Sequence, residues 1–362
     1  MKIIVLQDQL RSGGTERHSI LLNREFASLG HESRLVTFRP GGKLAPTAGN
    51  FTTLQPFDTG IDWFGPGLSR TVLGPSPDIV LCMGKTANCF AGSLQDKARS
   101  RRLGTKVVAT LRAGGVLPGL YYKSVRRAAH LVTNSREAAD ELVSLHGLER
   151  PKVSVIHNSL VYPEGSAGRN EELRAQLGAR PGTTVLLSVG MFRPEKNQRS
   201  LLEIAAGFPK DWDWMLWLAG EGPEKASCEA LARSLGISER VRFLGYTKDP
   251  APIYRAADIA VHASKEEALS NFLIESQSHG LPAVAMKALG IQECFIEGRT
   301  GWMLRQGDYE GFRAALARLS ADTAQMRSAR AEEARSFTKA SFDPARQVGA
   351  YIDLFNLLSR TG

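Results

Sequence analysis

The sequence predicts an α/β chain of two domains, each a parallel sheet covered by helices. Short apolar runs of strand length recur along it, helix-length segments separate them, and the series breaks once near the middle at a Pro/Gly/Ser-rich stretch. At 362 residues the chain can bury two cores of ordinary size. Its 43% hydrophobic and 23% charged residues are a globular composition. No apolar stretch approaches the ~18 residues that span a bilayer.

Met1-Lys-Ile-Ile-Val-Leu6 is too short for a signal-peptide core and leads into Gln-Asp-Gln, so it reads as the first strand, in a chain expected to be cytoplasmic. Runs at 33–38, 79–82, 106–109, 131–133 and 153–156 continue the first series. Between them, residues 39–66 are poorly periodic and read as a long, partly mobile loop. The break falls at Tyr162-Pro-Glu-Gly-Ser-Ala-Gly168. A second series follows at 185–189, 215–219, 241–244, 259–262 and 283–286. Residues 343–358 carry Val348, Tyr351, Ile352, Phe355 and Leu358 at helical spacing. The expectation is two Rossmann-like domains facing a cleft, at 1–163 and 164–341, with 342–362 a terminal helix.

The net charge of +9 is unevenly placed. Residues 97–127 hold nine bases and no acid, and 116–122 interleaves apolar and aromatic residues with them. That combination suits an anionic membrane surface or a phosphorylated lipid, while Lys97 to Arg102 read rather as solvated helix faces. Nucleic acid is disfavoured, since no recognition-helix, zinc-finger or RNP-type signature accompanies the charge. Cys82, Cys89, Cys228 and Cys294 lack metal-ligand spacing and read as free thiols.

The most informative stretch is Ser264-Lys-Glu-Glu267-Ala-Leu-Ser-Asn-Phe-Leu-Ile-Glu275. The apolar run before it is a buried strand. A helix should follow from Leu269 to His279, capped by Ser270 or Asn271 and closed by Gly280 and Pro282. Glu267 then lies in the turn and Glu275 on the helix, and eight residues of helix span roughly 12 Å. Unpaired N–H groups at the helix start favour a phosphate between the two acids. Hydroxyls at both ends and anionic charge between them describe a sugar nucleotide; the alternative for this pair alone is a solvated helix face carrying two unrelated acids.

Further segments share that logic. Val185-Leu-Leu-Ser-Val-Gly190-Met-Phe-Arg193-Pro-Glu-Lys196-Asn197 is a strand, a glycine and a basic loop. Gly220-Glu-Gly222-Pro223, Phe243-Leu-Gly245-Tyr246 and Tyr254-Arg-Ala-Ala-Asp258 follow in order. The N-terminal half adds Ser12-Gly-Gly14-Thr15-Glu16, Asn134-Ser135 and His157-Asn158-Ser159. This ordered set, covering almost the whole chain, resembles the retaining glycosyltransferases of family 4, which have a GT-B fold and a Glu-x7-Glu motif.

The resemblance implies that a hexose-type sugar passes from a UDP- or GDP-linked donor to a glycan or lipid-linked acceptor, and that the terminal helix crosses back to the N-terminal domain. It implies catalytic roles for Glu267, at the transferred sugar, and for Lys196 and Arg193, at the departing diphosphate. The family usually places its arginine directly after the glycine, where this chain has Met191. It further implies donor contacts from Gly14, Gly190, Tyr246, Leu269, Ser270, Asn271, Phe272 and Glu275, the last on the ribose diol. Thr15, Glu16 and Arg112 would meet the acceptor. Many relatives have His near Arg112, so arginine there points to an anionic acceptor. His18, His157 and His262 read as helix-face or strand-end residues. No DxD-type motif is evident, so no metal and no cofactor are expected. The competing readings are a GT-B epimerase or hydrolase and a nucleotide-sugar-binding scaffold without turnover.

Overall fold

The computed structural model describes residues 1–11, 13–112, 114, 117–160 and 168–360. Ser12 of the Gly-Gly motif, Val116 of the basic region and residues 162–167 of the sequence break lie outside them. The first sheet holds β1 (Lys2–Gln7), β2 (Glu32–Thr37), β3 (Thr52–Thr53), β4 (Ile79–Cys82), β5 (Lys106–Leu111), β6 (His130–Thr133) and β7 (Val153–Val155). Its strands are parallel throughout, in the order β3-β2-β1-β4-β5-β6-β7. The second holds β8 (Thr184–Val189), β9 (Trp214–Ala219), β10 (Val241–Gly245), β11 (Ile259–His262), β12 (Ala283–Met286) and β13 (Gly301–Leu304). It too is parallel, in the order β10-β9-β8-β11-β12-β13.

Each sheet is buried on both faces, which is why its strands read as unbroken apolar runs. Ile4 and Leu6 enter one core of the first sheet while Ile3 and Val5 enter the other. Val185 and Leu187 divide from Leu186 in the same way across the second. The alternation is the two-residue period of a pleated strand.

The chain divides into two compact units, Met1–Ser159 with Pro344–Gly362, and Leu160–Asp343. The C-terminal helix Pro344–Arg360 therefore belongs to unit 1. Phe26 meets Tyr351 and Phe355 edge-on, with ring centroids 6.3 and 5.6 Å apart.

Residues 39–66 differ from the expected irregular loop. They contain a short 3-10 helix, Ala45–Thr47, and the strand β3. Gln55, fully buried, hydrogen-bonds through its side chain to Thr59, Ile61 and Phe64, which organises the segment. In the basic region 97–127 several of the basic and aromatic groups are engaged within the protein. Tyr121 is buried with its hydroxyl on the Thr110 carbonyl, and Tyr122 stacks on His146. Arg127 pairs with Asp96, Arg126 donates to the His146 carbonyl, and Arg112 turns inward. Of the apolar residues described in 116–122, Leu120 is the exposed one. No helix among the described residues is long and apolar enough to cross a membrane.

Phe355→Ala should cost unit 1 about 3–5 kcal/mol, because a fully buried aromatic leaves a cavity between Phe26 and Tyr351. Urea unfolding followed by circular dichroism checks this, and a loss below about 1 kcal/mol would mean that the helix is not part of the core.

Candidate active site

In a parallel sheet, ligands bind beyond the carboxyl ends of the strands, where the strand order reverses. In unit 2 the reversal lies between β8 and β11. The chain leaving β8 runs through Gly190 into the 3-10 turn Pro194–Lys196, and the chain leaving β11 runs through Ser264 to Glu267. Two hydrogen bonds stitch them together: Lys265 N–H donates to the Glu195 carbonyl at 2.8 Å, and Ser264 Oγ donates to the same oxygen at 3.1 Å. Asn197, in the left-handed region at φ 52°, turns the chain into the helix Gln198–Ala206. Its side-chain amide donates to the Ala263 carbonyl at 3.3 Å.

This frame brings Lys196 Nζ onto Glu267 Oε1 as an ion pair. His262 Nε2, at the end of β11, lies 3.3 Å from the same oxygen, in ion-pair range but without hydrogen-bond alignment. Burial alone would raise the Glu267 carboxyl. The Lys196 charge and His262 outweigh it and hold the group at about 2. Lys196 and Glu267 are brought together from positions 71 residues apart. Arg193 stands outside this cluster: it is exposed, with its guanidinium 3.7 Å from Glu195.

The following helix runs Asn271–Ser278, capped by Ser270, whose Oγ accepts from Leu273 N–H at 3.4 Å. It starts two residues later than the sequence suggests, so half the separation of Glu267 and Glu275 is turn rather than helix. Leu269, Ser270 and Phe272 are buried, and Asn271 is half-buried. Glu275 is oriented by Tyr254, whose buried hydroxyl donates to Oε2 at 2.7 Å. Tyr254 is itself clamped by stacking on Phe272 and His279. Tyr246 follows β10 with 43% exposure. Gly220, at φ 142°, passes so close to the Gly190 carbonyl that any Cβ would overlap it.

Unit 1 repeats the arrangement. Its strand order reverses between β1 and β4, and a cavity of about 190 Å³ opens there. Thr15, Glu16 and Arg112 all line it, with Asp8, Arg11 and Lys85. Gly14 opens the helix Gly14–Ser28 beside them. Asp8 accepts from the backbone N–H groups of Thr86 and Ala87 at 3.0 and 2.9 Å, tying β1 to the start of the helix Lys85–Ser100. Burial nevertheless pushes its carboxyl above the ordinary value. Gly84 permits this, since a Cβ there would overlap the Asp8 carboxylate. Arg112 donates to the Tyr351 hydroxyl at 3.2 Å and to Asn158 Oδ1. His18 is buried beside Gln347, with 2.6 Å between their side-chain nitrogens, and burial then Arg112 lower its pKa well below the usual range.

Sequence reasoning missed Asp8, Arg11, Lys85 and Tyr254. The first three sit just past β1 and β4, so a strand order would have found them. No sequence signal marked Tyr254 as the partner of Glu275. Among the described residues no cluster of His, Cys, Asp or Glu has the makings of a metal site.

Two family models match the chain: glycosyltransferase family 4 over residues 12–160 and glycosyl transferases group 1 over residues 169–337. The lipopolysaccharide core biosynthesis glycosyltransferase LpsE of Rhizobium meliloti is 34% identical over 50% of this chain and 52% of its own. A D-inositol 3-phosphate glycosyltransferase of Mycobacterium sp. is 33% identical over 59% of this chain and 50% of its own. The chain thus spans about half the length of the curated relatives it matches. Among solved structures, Anabaena HepE in complex with UDP superposes with a TM-score of 0.81 at 20% identity, over 98% of this chain and 100% of that one. Sucrose-phosphate synthase of Thermosynechococcus elongatus gives 0.77 at 19%, over 100% of both chains. The fold is that of the GT-B glycosyltransferases. The chain belongs to the glycosyltransferases of the family 4 type.

A folded-state pKa near 2 for Glu267 makes its ionisation a source of stability that is full above about pH 4.5 and is lost as the pH falls towards 2. Wild type should therefore lose more denaturant resistance between about pH 6 and about pH 3 than Glu267→Gln, whose amide does not titrate. Equal losses in the two proteins would mean that the ion pair does not form.

Proposed function

We propose that the chain is a retaining glycosyltransferase that moves a hexose-type sugar from a UDP- or GDP-linked donor to a glycan or lipid-linked acceptor in surface polysaccharide or glycolipid biosynthesis. The observation that carries this reading is the Lys196–Glu267 pair at the β8–β11 reversal, beside the start of the helix that bears Glu275. A relative in lipopolysaccharide core synthesis and a GT-B neighbour crystallised with UDP support it.

The donor belongs to unit 2. Lys196 and the backbone N–H groups of Leu269, Ser270, Asn271 and Phe272 receive the diphosphate, and Glu275, steered by Tyr254, accepts hydrogen bonds from the ribose diol. Gly190 leaves room for the phosphates, and Tyr246 offers a face to the base. Glu267, ionised at neutral pH, accepts from hydroxyls of the transferred sugar. Departure of the diphosphate leaves negative charge on its oxygens and positive charge on the sugar carbon. Lys196 stabilises the first, and the Glu267 carboxylate tolerates the second. Because Lys196 and a helix N-terminus supply the positive charge, the reaction needs no metal. Arg193 is a secondary phosphate contact, reaching inward by rotating off Glu195.

The acceptor belongs to the unit-1 pocket, where Arg11, Lys85 and Arg112 suit an anionic or phosphorylated group and Thr15 and Glu16 suit hydroxyls. Exposed Lys123, with exposed Leu120 near it, supports a cytoplasmic protein in peripheral contact with an anionic membrane.

Glu275→Ala should weaken UDP or GDP binding with little other change, whereas Glu267→Ala should bind nucleotide and lose turnover, since only the second acid holds the group that reacts. Titration calorimetry and donor consumption separate the two, and normal binding and turnover in both variants would remove the donor-site assignment.

Lys196→Ala should lower turnover on the order of a hundredfold. Wild-type activity should survive EDTA. Loss in EDTA with rescue by magnesium or manganese would overturn metal independence.

A further inference from the structure

The exposed aromatic residues described on unit 1 are concentrated in the segment following β3. Phe57 is 69% exposed and Trp63 73%, and Ile61 and Phe64 are exposed beside them. Isolated exposed apolar residues are ordinary, but four within one short loop tip mark a contact surface.

The tip holds this shape through the buried Gln55 side chain and through ion pairs. Gln55 Nε2 donates to the carbonyls of Ile61 and Phe64 at 2.8 and 2.6 Å, drawing both ends of the Ile61–Phe64 turn onto one atom. Its Oε1 accepts from Thr59 Oγ1 at 2.8 Å. Both carboxylates of the tip face arginine: Arg39 bonds Asp58 at 2.7 and 3.0 Å and Asp62 at 2.7 Å. Arg11 grips Asp62 with Nη2 at 2.6 and 2.9 Å. The tip therefore presents four apolar side chains to solvent, and the two part-exposed acids among them are charge-compensated. Arg11 and Gln9, which also reaches Asp58, line the unit-1 pocket, so the tip is continuous with its rim.

We propose that this tip docks on a lipid bilayer, inserting Phe57, Ile61, Trp63 and Phe64 into the interfacial layer beside the acceptor pocket. Tryptophan and phenylalanine on a charge-compensated tip match the water–hydrocarbon boundary, where amphipathic rings partition. A glycan is a poorer occupant, because the carboxylates that would hold its hydroxyls are already paired with Arg39 and Arg11. A second copy of the chain is poorer too, since four side chains fall short of the ~800 Å² per partner of a stable interface. The inference rests on the proposed function only in taking the acceptor to be membrane-borne.

The test uses the full chain with vesicles of phosphatidylcholine alone and of phosphatidylcholine with phosphatidylglycerol. Wild type should partition onto both and stay on the zwitterionic vesicles at about 1 M salt, where screening lengths fall to ~3 Å and charge attraction is suppressed. Its tryptophan emission should shift to the blue and be quenched by lipids brominated in the acyl chain. Trp63→Phe should still bind but lose most of the quenching, because the other four tryptophans are buried or half-buried. Trp63→Ser with Phe64→Ser should partition about tenfold or more weakly, each lost ring forfeiting its burial. Its melting temperature and its affinity for UDP should stay those of wild type. Undiminished binding by the double variant would overturn the inference and assign docking to the surface cations. Failure of wild type to bind phosphatidylcholine would overturn it as well, as would self-association that the double substitution abolishes. UDP binding reports on the transferase reading separately, so either can fail alone.

Discussion

Lys196 and Glu267 hold each other across the point where the second sheet reverses its strand order, and most of what surrounds them serves that pairing. Two half-buried opposite charges compensate one another at modest cost, whereas either one left alone there would be expensive. A ligand that supplies anionic oxygens to the lysine and hydroxyls to the carboxylate replaces each partner in kind. On the proposed reading, the pair is a resting state that a sugar diphosphate opens. It requires the loops after β8 and β11 to keep register, which the contacts of Lys265 and Ser264 with Glu195 enforce.

Unit 1 solves the same topological problem with a different device. Asp8 bridges the reversal between β1 and β4 by accepting two N–H groups at a helix start, and Gly84 gives it the room. The C-terminal helix supports that pocket from behind, Tyr351 bonding Arg112 and Gln347 meeting His18. A helix that arrives last in the sequence therefore fixes the arginine that sequence reasoning assigned to the acceptor. Coupling of this kind makes the pocket sensitive to substitutions far from it in sequence.

Much of the fold was legible because buried parallel strands write themselves as apolar runs. The strands at 79–82, 259–262 and 283–286 have the bounds their sequence suggests, being apolar on both faces. β3 and β13 were not legible: one is two residues long, and the other is a half-exposed edge strand. The tip at 57–64 looked irregular because its order comes from the side chains of Gln55 and Arg39, which no periodicity encodes. The turn bearing Lys196 and the acids at 267 and 275 stood out through spacing and punctuation. Their partners His262 and Tyr254 did not, since a contact between separate elements depends on strand order. Asp258 carries a different lesson: it accepts from Val185 N–H and from buried Arg174, and so holds the sheet together beneath the site.

The most direct test of the account is a crystal structure of this chain with UDP or GDP bound. The diphosphate should lie at the start of the helix Asn271–Ser278, with Lys196 Nζ drawn from Glu267 onto its oxygens and the ribose hydroxyls on Glu275. A nucleotide seated in the unit-1 cavity, with the Lys196–Glu267 pair still closed, would contradict it.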